Sequence, residues 1–224
     1  MLSLRVERNA NHRRSPNIPP RNLKSICSSV ALPAFLLGHN PTKKIICVSY
    51  SDDLAAKFSN DCRAVMRSDW YKQTFPRARI DKAKDTESEV RTTERGYRLA
   101  TSVGGTLTGR GGDIIIIDDP IKPQDAQSKS VRDKTIQWYE NTLLSRLDDK
   151  VHGAIVVVMQ RLHLDDLAGH LLERGGLSTS ASRRSRRERR LFDLITDVPT
   201  SATLATCSIP CGNLSRLSRS SARR

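Results

Sequence analysis

Short apolar runs alternate with amphipathic stretches through the middle of the chain, and this alternation sets the expected elements. Lys44 to Tyr50, Ile114 to Asp118 and Gly153 to Met159 are apolar runs rich in β-branched residues, and Tyr97 to Val103 reads as a further strand. Such runs predict strands covered on both sides, as in a parallel sheet between helices. Between them, Ser51 is placed to cap a helix begun by Asp52 and Asp53, with Leu54, Phe58, Cys62, Val65 and Met66 on one face. Trp70 to Phe75 reads as a short helical piece stopped by Pro76, Ser128 to Asp149 as a long amphipathic helix, and His163 to Glu173 as another helix. Ser28 to Leu37 reads as an apolar helix that Pro33 should kink. The alternation of strand and helix predicts a three-layer α/β core over residues 17 to 176 with a mainly parallel sheet.

The rest of the chain patterns differently. Residues 1 to 16 cluster Arg, Asn and His and read as a disordered leader, while residues 177 to 224 are dominated by Ser, Arg and Thr and read as a disordered basic tail. Of the formal charge of +14, residues 1 to 24 carry +5 and residues 177 to 224 carry +7, so the patterned middle is nearly neutral. The charge points to a polyanionic partner and places its attraction in the two ends. The five Cys show no paired CxxC spacing, so neither a disulfide framework nor a zinc site is indicated. No run reaches the roughly 18 apolar residues of a membrane span and the N-terminus lacks a secretory pattern, which makes no membrane and a cytoplasmic location the expectation.

Candidate chemistry concentrates at strand ends. Asp113-Ile-Ile-Ile-Ile-Asp118-Asp119-Pro120 delivers two carboxylates to the end of a buried strand, where open α/β sheets hold ligands. That is the form of a Walker B motif, in which Asp118 orders Mg²⁺ and Asp119 orients or deprotonates the attacking water. A core strand ending in a solvated Asp-Asp-Pro turn is the alternative. Upstream, Lys24-Ser25 stands where a loop turns into a helix, so the helix N-terminus, the Lys and the hydroxyl could together hold a phosphate and its metal. It lacks both glycines of the usual phosphate loop, and a Pro-rich turn before a helix is the plainer reading. Gln160-Arg161 ends the strand after Asp118-Asp119, where P-loop ATPases place a γ-phosphate sensor; a plain strand-end turn is again the alternative. The loop Gly104 to Gly112 is either a simple turn or a means of bringing Arg110 to the nucleotide edge.

Four segments occur in one order: Pro19-Pro-Arg-Asn-Leu-Lys-Ser25, Ser102-Val-Gly-Gly-Thr-Leu-Thr-Gly-Arg-Gly111, Ile114-Ile-Ile-Ile-Asp-Asp-Pro120 and Met159-Gln-Arg-Leu-His-Leu-Asp-Asp-Leu167. Together they resemble the ATPase domain of tailed-phage terminase large subunits over residues 17 to 176. The resemblance implies a three-layer P-loop NTPase of the ASCE type that couples ATP hydrolysis to pumping double-stranded DNA into a procapsid. ATP and Mg²⁺ are the implied cofactors. The terminase small subunit, the portal and procapsid, and further copies of the chain are the implied partners, in a bacterial host's cytoplasm. By position, Asn22, Leu23, Lys24 and Ser25 look like the nucleotide-binding Walker A segment. Ser25 and Asp118 are similar to the metal ligands, and Asp119, Arg21, Gln160 and Arg161 to the catalytic and coupling residues. Asp119 stands where many such motors carry Glu.

The family's C-terminal nuclease has no counterpart among the Arg-rich residues 177 to 224, which reads as a truncation. Under one choice of codons, two segments of this tail read two bases on give strings expected of the family, so an out-of-frame tail is a further expectation. An inactive remnant whose basic ends bind nucleic acid without specificity is the alternative function. Another P-loop machine such as a helicase ranks third, since no helicase signature accompanies the shared elements.

Overall fold

The structure, a computed structural model, describes residues 2–7, 16–17, 24–107, 109–174 and 180–181, with backbone only for the three outlying strand segments 2–7, 16–17 and 180–181. Arg21, Asn22 and Leu23 lie outside the described residues, as do most of the leader and nearly all of the tail. In chain order the elements are β1 (Leu2–Glu7), β2 (Pro16–Asn17), α1 (Leu32–His39), β3 (Lys44–Ser49), α2 (Asp52–Arg67), α3 (Asp69–Thr74), β4 (Ile80–Asp85), β5 (Glu89–Thr92), β6 (Tyr97–Ser102), β7 (Ile114–Asp118), α4 (Lys129–Trp138), β8 (Ala154–Gln160), α5 (Leu167–Glu173) and β9 (Ser180–Ala181).

The four apolar runs become the centre of a seven-stranded sheet of order β1-β8-β7-β3-β6-β5-β4. Strands β8, β7, β3 and β6 run parallel, with Cys47 aligned with Ile116 on one side and Ala100 on the other. Both flanks are antiparallel, so the mainly parallel sheet expected from the sequence holds for the centre and gives way at the edges. A separate pair of two-residue strands, β2 and β9, runs parallel.

Alternate side chains of the central strands leave on opposite faces, and each face is covered by helices, giving three layers. On one face Ile45, Cys47, Ile116, Val156 and Val158 meet Ala34 and Leu37 of α1, Phe58, Cys62 and Met66 of α2, and Tyr71 of α3. On the other, Ile46, Val48, Ile115, Ile117, Ile155 and Val157 meet Tyr139, Leu143, Leu167 and Leu171. Ser51 caps α2 by accepting from the Leu54 amide, as its place before Asp52-Asp53 predicts.

Tyr71 ties the first of these helical layers together: its hydroxyl, 1% exposed as a residue, donates to the Ala34 carbonyl at 2.7 Å. Burial raises its pKa, so it is a neutral donor at all ordinary pH. Tyr71→Phe removes one buried neutral hydrogen bond. It should cost about 1 kcal/mol and lower Tm by roughly 2 to 4 °C, measured by thermal unfolding followed by circular dichroism.

Several elements differ from the sequence expectation, each for a local reason. Leu2–Glu7, inside the segment expected to be a disordered leader, pairs antiparallel with β8; Leu2, Leu4 and Val6 alternate with polar residues at the strand period. Arg77 to Glu94, too charged to read as structured, forms the antiparallel strands β4 and β5 at the sheet edge. Edge strands are half solvated and carry charge there, which hides the apolar run.

The long helix expected over Ser128 to Asp149 stops being α-helical at Trp138. It continues as a π turn over Tyr139–Leu143 and a 3-10 turn over Leu144–Arg146. Gly112 ends it by donating to the Arg146 carbonyl and accepting from the Asp148 amide. The helix expected from His163 starts at Leu167, because the Asp166 side chain accepts the Gly169 amide as an N-cap and also takes the amides of Leu162 and His163. Arg110 does not reach the carboxyl end of the sheet. It pairs with Glu89 and lies over the ring of Tyr97, the first residue of β6, at the opposite end from Asp118.

Candidate functional site

The parallel strands β3, β6 and β7 end in register, with Ser49 aligned with Ser102 and with Asp118, and β8 ends beside them. Their carboxyl ends therefore form one edge, and Asp118 is its innermost acid at 1% exposure. The chain turns sharply straight after it. Asp119 has φ 45, in the left-handed region where a non-glycine residue stores strain on the order of 1 kcal/mol or more. Two bonds hold the turn: the Asp119 amide donates to the Val158 carbonyl at 2.8 Å, and Asp119 Oδ1 accepts the Gln160 amide at 3.1 Å.

Lys24 and Ser25 open the helical segment that faces this edge. The segment starts wide, as a π turn over Ile26–Ala31, and tightens into α1. Two features favour the widening. Ser28 Oγ bonds back to the Lys24 carbonyl at 2.8 Å, and Pro33 has no amide to donate to the carbonyl four residues earlier. The helical segment continues through Pro33, which stands in the first turn of α1 straight after the π turn.

From this start Lys24 Nζ forms an ion pair with Asp119 Oδ2, and Ser25 Oγ donates to Asp118 Oδ1 at 3.1 Å. One turn further on, Ser29 Oγ donates to Asp118 Oδ2 at 2.8 Å. Burial pushes the Asp118 carboxyl up to about 6, helped by the neighbouring charge of Asp119; the bonds from Ser29 and Ser25 and the charge of Lys24 work against the rise. Lys122 lies over the Tyr50 ring, 5.5 Å from its centroid, at the same edge.

Of the residues singled out in the sequence, Lys24, Ser25, Asp118, Asp119 and the Gln160 amide therefore meet in one place. Arg161 is turned elsewhere. Its Nε pairs with the buried Asp166 at 3.1 Å and its Nη2 donates to the Leu164 carbonyl at 3.1 Å, so it shapes the loop before α5. Ser29 was not singled out, although its spacing of four from Ser25 puts both hydroxyls on one helix face. Arg98 was also missed; the signal was a lone charge inside the apolar run Tyr97 to Val103.

The donor set fits a hard divalent cation with a polyphosphate. A hydroxyl and a carboxylate oxygen side by side are oxygen ligands of the kind Mg²⁺ takes, with phosphate and water oxygens completing its shell. Among the described residues no group of three or more His, Cys, Asp or Glu side chains forms a cage for a metal.

A family model described as the terminase large subunit, T4likevirus-type, N-terminal, matches residues 24–187. The chain belongs to this terminase large subunit family. Membership carries the coarse role, DNA packaging in phage. The match begins at Lys24, the residue where the helix facing Asp118 and Asp119 begins, and takes in all four parallel strands of the terminase core. No curated protein matches the chain. Among the described residues no helix is long and apolar enough to cross a membrane.

Proposed function

We propose that this terminase domain is a P-loop ATPase of the ASCE type, which hydrolyses ATP with Mg²⁺ and couples the reaction to movement of double-stranded DNA into a procapsid in the host cytoplasm. The observation that carries the reading is the double pairing Lys24 with Asp119 and Ser25 with Asp118 at the carboxyl edge of a parallel sheet. Phosphoryl transfer needs little covalent help from protein; it needs positioned positive charge, a held cation and an oriented water.

Each side chain has a role in that scheme. Lys24 binds β/γ-phosphate oxygens, Ser25 and Asp118 hold the cation, and the cation when bound neutralises charge developing on the phosphates. Asp119 orients the attacking water and takes its proton. With no nucleotide bound, Lys24 and Asp119 neutralise each other; an incoming phosphate competes for the ammonium and releases the carboxylate to the water. Gln160 follows Asp119 through its backbone amide, which links the water-binding turn to the end of β8, the segment assigned to coupling. Arg21, Asn22 and Leu23 complete the phosphate-binding segment in this scheme. The terminase small subunit, the portal and further copies of the chain are the partners it requires.

The test is phosphate release by the full chain with Mg²⁺ and ATP, with and without double-stranded DNA. Turnover above the protein-free rate, raised by DNA, is the expected result. A chain that neither hydrolyses nor binds ATP would overturn the reading.

A further inference from the structure

Asp118 is held from both sides, and only one of the two hydroxyls that hold it belongs to the Lys24-Ser25 pair. Ser29 is 1% exposed and its hydroxyl has one proton, which it gives to Asp118 Oδ2 at 2.8 Å. That leaves Oδ1, on the Ser25 side, as the oxygen presented to the edge. Ser29 is itself held. Its carbonyl is the one that an ordinary α-helix would pair with the amide of residue 33, which Pro33 lacks. Arg98 reaches this carbonyl from β6, its Nη2 donating to it at 3.1 Å.

Arg98 is 0% exposed, and its Nε and Nη1 have no hydrogen-bond partner among the described residues. A fully buried guanidinium is costly to keep for packing alone, since an apolar side chain of similar size would fill the space without desolvating a charge. Among the described residues its one hydrogen bond goes to the residue that clamps Asp118.

Resting on the ATPase reading above, we propose that Ser29 and Arg98 are positioning residues for the cation. Ser29 fixes the rotation of the Asp118 carboxylate, and Arg98 fixes Ser29 by donating to its carbonyl. The π turn sets the register of this lock. It carries Ser25 and Ser29 past the same carboxylate, so that one serine stands at the edge and the other stands behind it. Outer partners of this kind set the orientation of a metal-binding carboxylate, and their loss commonly weakens metal affinity by roughly 10- to 100-fold.

The experiment uses the full chain and two readouts that need no turnover. One is binding of a fluorescent ATP analogue in EDTA. The other is binding of Mn²⁺, as a paramagnetic stand-in for Mg²⁺, to the protein-nucleotide complex by electron paramagnetic resonance. Ser29→Ala should lower Mn²⁺ affinity by roughly 10- to 100-fold while nucleotide affinity in EDTA stays near wild type. Ser59→Ala is the control: Ser59 is equally buried, on α2, and its hydroxyl has no hydrogen-bond partner among the described residues, so this variant should keep wild-type Mn²⁺ affinity.

Arg98→Met should lower Mn²⁺ affinity in the same direction as Ser29→Ala. If folded Arg98→Met binds Mn²⁺ as wild type does, Arg98 has no part in the lock. Wild-type Mn²⁺ affinity in Ser29→Ala overturns the whole proposal, provided Asp118→Asn abolishes binding in the same assay. A wild-type chain that binds no nucleotide overturns the ATPase reading itself and the lock with it.

Discussion

Replacing Lys24 by Ala is expected to lower ATP turnover by roughly 100- to 1,000-fold, the usual cost of losing one preorganised group aimed at developing charge. In the proposed scheme Lys24 does two things: it binds phosphate, and it releases Asp119 when phosphate arrives. Without it Asp119 is a carboxylate with no cation beside it, facing an incoming polyanion. Repulsion between the two should raise KM as well as lower kcat. Lys24→Arg keeps the charge but replaces a compact ammonium with a planar fork, and should recover little of the rate. The double variant Lys24→Ala/Asp119→Asn should be no worse than the worse single one, because the two groups act as a unit. Steady-state phosphate release settles this, and near-normal turnover in Lys24→Ala would take Lys24 out of the site.

The second large effect is on stability, and its sign is opposite to the effect on binding. Asp118 is ionised at neutral pH yet buried, with a folded pKa of about 6 against an unfolded value near 3.9. A carboxyl whose folded pKa is the higher one holds its proton more tightly in the fold. Stability is therefore greatest below about pH 4 with respect to this group, falls as pH rises from about 4 to 6, and stays at the lower level above that. The loss at pH 7 is roughly 3 kcal/mol.

Asp118→Asn keeps the shape, accepts from one serine and can donate to the other, and carries no charge. It should raise Tm of the nucleotide-free chain at pH 7 by about 5 to 10 °C and flatten the stability change between pH 4 and 6. Thermal melts of both proteins across that range measure it. An unchanged or lowered Tm would mean that the carboxylate is better solvated than its burial indicates. A site residue whose neutral analogue stabilises the fold is the usual mark of function set against stability.

The centre of this fold was legible in the sequence because its strands are covered on both faces. Ile114 to Ile117 or Ala154 to Met159 can be read without knowing their neighbours, since no alternation with polar residues has to be phased. The edges were not legible for the converse reason. Ile80–Asp85 and Glu89–Thr92 have solvent on one side, and their Lys, Asp and Arg residues mask a pattern only four to six residues long. The start of α5 was misplaced because Asp166 gathers four donors, and no local propensity reports that. At the site, Lys24, Ser25, Asp118 and Asp119 stood out because strand ends and helix starts mark positions where chemistry collects. Ser29 and Arg98 did not, since a serine inside an apolar helix and an arginine inside a strand show a role only once Asp118 is in place between helix and sheet.

The left-handed turn at Asp119 decides which acids this terminase can use there. At a positive φ a short acid is tolerated, because its carboxylate can fold back onto nearby backbone, as Asp119 Oδ1 does with the Gln160 amide. A longer Glu would lose that anchoring bond while keeping the strained backbone. Its extra reach toward water would come with a looser carboxylate. On the ATPase reading, the acid at this position thus follows from main-chain geometry: a chain that turns sharply after the strand ending in Asp118 favours Asp at 119, and a change to Glu would have to be preceded by a change in the path of the chain.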